Sequence, residues 1–151
     1  MQKKRLSGKR ILLLTATALV LILIFLQSML PRSISTRESQ GVLDRIVNPI
    51  LRALGLRPLT HNGARKIAHV VEFSILAVLL VLCWRGSVTK GFFTGFAAAF
   101  LDESIQLFSD RGAEIRDVWI DLIGVASGVL IGFLIWRWYT IRGKRVEEND
   151  T

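Results

Sequence analysis

Residues 101–117 read LDESIQLFSDRGAEIRD and close an uncharged apolar run, GFFTGFAAAF at 91–100. Asp102, Glu103 and Gln106 thus fall inside a hydrophobic segment, with Arg111, Arg116 and Asp117 just beyond it. Two further apolar runs are interrupted in the same way, by Arg65, Lys66, His69 and Glu72 in RKIAHVVE and by Asp121 in DVWIDLIG. His69 titrates near neutrality and stands about one helical turn from Glu72, a pairing suited to proton transfer. Glu72 or His69 is the candidate base, with Asp102 and Glu103 as candidate acid or metal partners. Arg65, Lys66, Arg111 and Arg116 are cations of the kind that hold phosphate. A histidine among carboxylates can also bind a divalent cation, though neither an HExxH motif nor a cysteine pair is present.

These residues need elements that bring them together. Ile11 to Leu30 is twenty residues without a charge, enough to cross a bilayer core of about 30 Å. Its length and the lack of a small-residue cleavage site favour an uncleaved anchor over a signal peptide. Three further spans are expected at 67–84, 88–108 and 117–138, joined by tight connections at 85–87 and 109–116. The fold class is therefore all-α membrane protein with four transmembrane helices. Trp84, Trp119, Trp136, Trp138 and Tyr139 fall near the expected ends, where amphipathic rings favour the interface.

Counting along these spans puts His69 roughly 6 Å, Glu72 roughly 10 Å, Asp102 roughly 9 Å and Asp121 roughly 6 Å below the same membrane edge. The polar groups collect at one depth. They also fall on defined stripes: Arg65, His69 and Glu72; Gly91, Gly95, Ala98, Asp102 and Gln106; Asp117, Asp121, Gly124, Gly128 and Gly132. Small residues at four-residue spacing let helix backbones approach closely in lipid, so the packing faces also carry the acids.

A charge near mid-membrane costs about 2.5–3.5 kcal/mol, and four unpaired acids would cost on the order of 10 kcal/mol. The acids must pair or protonate. A register-fixing ion-pair network, with the four cations set against Glu72, Asp102, Glu103, Asp117 and Asp121, is the plainest outcome. Asp102 and Glu103 are adjacent, however, and cannot both face one partner, which leaves an acid for other work.

Both termini are expected to be cytoplasmic: the inner segments then hold eleven Lys and Arg against nine outside, with five directly before the first span. In the first loop, the stretch 41–56, GVLDRIVNPILRALGL, has apolar positions at 42, 43, 46, 47, 50, 51 and 54. That is helical spacing, with Asp44, Arg45, Asn48 and Arg52 on the opposite face and Pro49 expected to kink or split the helix. Such a helix lies in the interface, re-enters the bundle or caps it from the solvent side.

Composition narrows the field. The 151 residues are 51% hydrophobic with a net charge of +8, but the basic residues flank apolar runs and form no aromatic-interleaved stripe. That excludes a nucleic-acid partner and points to a membrane. Cys83 is the one cysteine, so no intrachain disulfide can form, and its apolar setting reads as packing. The tail 140–151 is polar and expected to fray.

RKIAHVVEFSILAVLL, FLDESIQLFSDRGAEIRDVWIDLIGVASG and the serine-dotted LQSMLPRSISTRESQ together resemble the VanZ-like family of small bacterial membrane proteins. The resemblance runs from about residue 25 to 132 and places the family pattern on Arg65, Lys66, His69, Glu72, Asp102, Glu103, Gln106, Arg111, Asp117 and Asp121. Many relatives have Asn at the last of these, so the acid here departs from the pattern. The resemblance implies a bacterial plasma-membrane protein of the cell envelope, linked to teicoplanin resistance, and brings no agreed reaction with it.

The expected function is to bind or modify an envelope component, such as a phosphorylated lipid or lipid-linked precursor, at an outward-facing site. Arg65, Lys66, Gln106, Arg111, Arg116, Asp117 and Asp121 are its binding residues, with His69, Glu72, Asp102 and Glu103 as catalytic candidates. The alternatives are a non-catalytic interaction module whose charges only fix helix packing, and a small ion-coupled carrier working as an oligomer.

Overall fold

The computed structural model describes residues 7–29, 41, 43–108 and 115–149, with side chains for 117–142 in the last stretch. Regular structure among them is entirely helical. Five α-helices follow in order: α1 (Gly8–Met29), α2 (Asn48–Ala53), α3 (His61–Cys83), α4 (Val88–Phe108) and α5 (Ile115–Asn149), and a π-helical turn at Leu43–Val47 leads into α2. Three stretches are long and apolar enough to cross a membrane: α1, α3 and Asp117–Arg142 of α5. The fourth expected span, α4, has 21 residues, but Asp102, Glu103 and Gln106 near its end dilute its apolar character.

Local chemistry sets the helix ends. Thr60 caps α3, its Oγ1 accepting from Gly63 N at 3.2 Å, so the helix starts at His61, six residues before the span expected from hydropathy. Arg65 and Lys66 thereby become helical. At the other end, Trp84–Ser87 forms the turn to α4. Gly86 has φ +83°, and a Cβ there would collide with the Trp136 ring, so this position needs glycine twice over. The tail expected to fray instead continues α5 to Asn149. No proline interrupts it, and Arg142, Lys144, Arg145, Glu147 and Glu148 are good helix formers.

The most extensive helix contact is between α3 and α5, which run parallel. Glycine makes it possible. A Cβ on Gly124 would stand 2.6 Å from Val70 O, one on Gly128 would strike Ser74 O, and one on Gly132 would lie 3.0 Å from Val78 Cα. Ser74 Oγ uses the close approach to donate to Gly124 O at 2.9 Å. On α4, Gly91 packs against Val81 and Gly95 against Val125. Ile24, Phe73, Leu76, Ala77, Val81, Ala99 and Val125 form the apolar core of these helices.

Polarity runs from the inside outwards. Ser28, Asp102, Gln106 and Asp121 are buried, while Leu12, Leu19 and Leu26 of α1, Phe93 and Phe100 of α4 and Leu130 and Leu134 of α5 are exposed. An apolar exterior around a polar interior is the arrangement a hydrocarbon solvent favours.

The amphipathic segment departs from its expected two-faced form. Pro49 sits in the first turn of α2, where the π turn gives way to α-helix, which accounts for the expected break. The apolar positions divide: Leu43 is buried, whereas Ile46, Ile50 and Leu54 are exposed, and Val42 lies outside the described residues. Asn48, placed on the polar face by spacing, is in fact buried. Its Oδ1 accepts from Leu59 N at 2.8 Å and its Nδ2 donates to Leu59 O at 3.4 Å, fastening the returning chain before α3. Two backbone groups satisfy the amide, so its burial costs little.

Candidate functional site

The last turn of α1, the first half of α3, the last third of α4 and the first turns of α5 enclose one cluster of polar side chains. Ser28, Asp102, Gln106 and Asp121 are each at most 1% exposed. Asp102 is held by two donors: Ser28 Oγ donates to its Oδ1 at 2.5 Å and Gln106 Nε2 to its Oδ2 at 2.7 Å. Gln106 lies one turn further along the same helix, which is why the D-x-x-x-Q spacing lets one side chain orient the other.

Across the cluster, His69 Nδ1 stands 3.3 Å from Asp121 Oδ1. That is ion-pair distance when the imidazole is protonated, but the pair is not aligned as a hydrogen bond. The imidazole also stacks on Phe73, with ring centroids 6.4 Å apart. One turn nearer the start of both helices, Arg65 Nη2 donates to Asp117 Oδ2 at 2.6 Å. Both pairs have the same sequence offset, as parallel helices in fixed register require.

Glu72 faces two environments. Gln27, from the last turn of α1, hydrogen-bonds its carboxylate. Beside it lies a largely apolar cavity of about 340 Å³ between α3 and the 43–59 segment, lined by Leu43, Val47, Leu59, Ala68 and Val71 as well as Glu72. Glu103 is 8% exposed, and neither carboxylate oxygen has a hydrogen-bond partner among the described residues.

Of the sequence candidates, Arg65, His69, Glu72, Asp102, Glu103, Gln106, Asp117 and Asp121 thus converge. Lys66 is exposed, turned off the Arg65–His69 stripe. Arg116 belongs to the first turn of α5, and its side chain, like Arg111, lies outside the described residues. Spacing overlooked Gln27 and Ser28. The signal available was Ile24 and Ser28 at i and i+4, with two polar residues following the apolar run 18–26 of the same helix.

Chemically, the arrangement offers a buried imidazole beside several carboxylates, with neutral donors orienting one of them. Residues 13–138, which include every side chain of this cluster, match the family model described as VanZ/LLP1. The chain belongs to the VanZ/LLP1 family. Within it, the chain is 40% identical over 73 residues to the "uncharacterized membrane protein YwnJ" of Bacillus subtilis (strain 168). That alignment covers 47% of this chain and 49% of YwnJ, so the chain spans about half the length of the curated relative it matches. No solved structure matches. The VanZ/LLP1 match takes in α1, α3 and α4 almost whole and α5 as far as Trp138, the four helices that build the site.

Proposed function

We propose that this VanZ/LLP1 protein crosses the bacterial plasma membrane four times, with both termini cytoplasmic, and binds or modifies a lipid with a phosphorylated head group at an outward-facing site. The observation that carries this reading is the position of Glu72, shared between the polar cluster and the apolar cavity. An amphiphile has the same two parts. Its chain would lie against Leu43, Val47 and Val71, and its head group would reach towards Glu72 and His69.

Other features support the reading. The exposed Phe93, Phe96, Phe100 and Leu101 of α4 suit a lipid-facing helix, the fourth crossing. Exposed Ile46, Ile50 and Leu54 suit a segment lying in the interface. Lys66 is exposed near the cluster, and Arg116 opens α5, so cations for phosphate stand close by in the chain. In the catalytic form of the proposal Glu72 or His69 takes a proton from the attacking group. Action on a lipid-linked envelope precursor is the route by which such a protein would alter glycopeptide susceptibility.

Native mass spectrometry of the full chain in detergent, offered phosphatidic acid or phosphatidylcholine, tests the proposal. Phosphatidic acid should be retained over phosphatidylcholine, and Ala68→Trp, which fills the cavity, should reduce retention. Equal retention of both lipids removes the head-group assignment. Indifference to Ala68→Trp removes the cavity from it.

A further inference from the structure

Several buried polar atoms of the cluster have no aligned hydrogen-bond partner among the described residues, among them His69 Nδ1, both oxygens of Asp121 and both oxygens of Glu103. Native proteins leave few buried polar atoms in that condition, and here five of them belong to three residues of one cluster. Arg65 does not relieve them, because Asp117 takes it at 2.6 Å. Asp102 has its own donors in Ser28 and Gln106.

We infer that His69, Asp102 and Asp121 form a binding site for one divalent transition-metal ion, Zn²⁺ or Mn²⁺, with Glu103 completing it from the edge. Three observations carry this. One ligand atom from each of the three residues lies within 4.8 Å of the others. Ligands held about 2.1 Å from an ion sit roughly 3–4 Å apart, so side-chain shifts of about 1 Å close the site. Glu103, more than nine-tenths buried, has both oxygens without a hydrogen-bond partner among the described residues and lies within electrostatic reach of Asp102, Asp121 and His69. Its carboxylate would accept from an ion-bound water at the edge of the three-residue set. Finally, Ser28 and Gln106 do for Asp102 what outer-shell donors do for ligating carboxylates, fixing the direction of the lone pair that remains.

The donor set selects the ion. One imidazole nitrogen with carboxylate oxygens suits Zn²⁺ and Mn²⁺ better than Ca²⁺ or Mg²⁺, which prefer oxygen throughout. The lone cysteine, Cys83, stands beside Thr17 at 3.3 Å and is not part of the set, so a copper- or cluster-type thiolate site is not in question. Two positive charges offset most of the carboxylate charge that His69 alone faces, in a setting where uncompensated charge is costly.

The test needs no lipid, so it stands apart from the substrate reading. Purified full-length protein, stripped with EDTA, would be titrated calorimetrically with ZnCl₂ and MnCl₂. One ion should bind per chain. His69→Gln and Asp121→Asn should each weaken binding by about tenfold or more, while His61→Gln, at the other histidine, leaves it unchanged. X-ray absorption on the zinc-loaded wild type should show one imidazole and otherwise oxygen ligands, a readout that does not depend on the variants folding. Failure of the wild type to bind either ion, full binding by both variants, or a sulfur ligand would each overturn the assignment.

Discussion

Ser28 Oγ donates to Asp102 Oδ1 at 2.5 Å, joining two residues 74 positions apart and closing the polar cluster with the end of α1. Without that contact α1 would be an apolar anchor beside the bundle. With it, the helix becomes a wall of the site. Ser28→Ala should lower stability by about 1 kcal/mol, because one buried donor is lost while Gln106 still holds the carboxylate. Denaturation of the detergent-solubilised protein by SDS measures the difference.

Gly128 is the tightest point between α3 and α5, where a Cβ would meet Ser74 O and, at 2.8 Å, Ala77 Cβ. Gly128→Val is expected to cost about 1–3 kcal/mol through overpacking and to reduce the amount of protein in the membrane fraction. Gly8→Ala has open space around it and should leave that amount unchanged.

Arg65 and Asp117 are only 17% and 11% exposed at their side chains, so their attraction is weakly screened. A double-mutant cycle with Arg65→Gln and Asp117→Asn should give a coupling of about 1–3 kcal/mol. Additive effects would mean that the pair contributes no more than a surface contact.

Asn48 fastens the 54–60 stretch to α2 through both backbone groups of Leu59. Asn48→Leu keeps the volume and removes the hydrogen bonds, leaving Leu59 unpaired. The expected result is faster limited proteolysis between Leu54 and Thr60, with the other helix connections cut at the wild-type rate.

Orientation is open to direct measurement on a Cys83→Ser background carrying single cysteines at Ser109 or Gly143. In intact cells an impermeant maleimide should label position 109 alone, as an outward-facing site requires. Labelling of position 143 alone would place the cluster on the cytoplasmic side and redirect the search to cytoplasmic precursors.

Much of this molecule can be read from its chain. Unbroken apolar runs state where helices form, because only a helix satisfies its own backbone in lipid. The three- and four-residue spacing of Asp117, Asp121, Gly124 and Gly128 marks a single face, and that face is the one α5 buries. The start of α3 does not follow hydropathy, since the Thr60 cap extends the helix beyond the hydrophobic stretch.

Periodicity determines which residues share a face; it does not determine which faces meet. The choice of partners, Arg65 for Asp117 rather than Glu72, His69 for Asp121, and Ser28 and Gln106 for Asp102 while Glu103 has none among the described residues, depends on the register between helices remote in sequence. That register follows from how deeply glycine faces let the backbones sink together. The same is true of Asn48, polar by spacing yet buried once the chain folds back on it, and of the cavity beside Glu72. The sequence by itself determined the helices, the charges that interrupt their apolar runs and the small-residue stripes. Only the packed structure decided which charges are satisfied and which are left to meet something else.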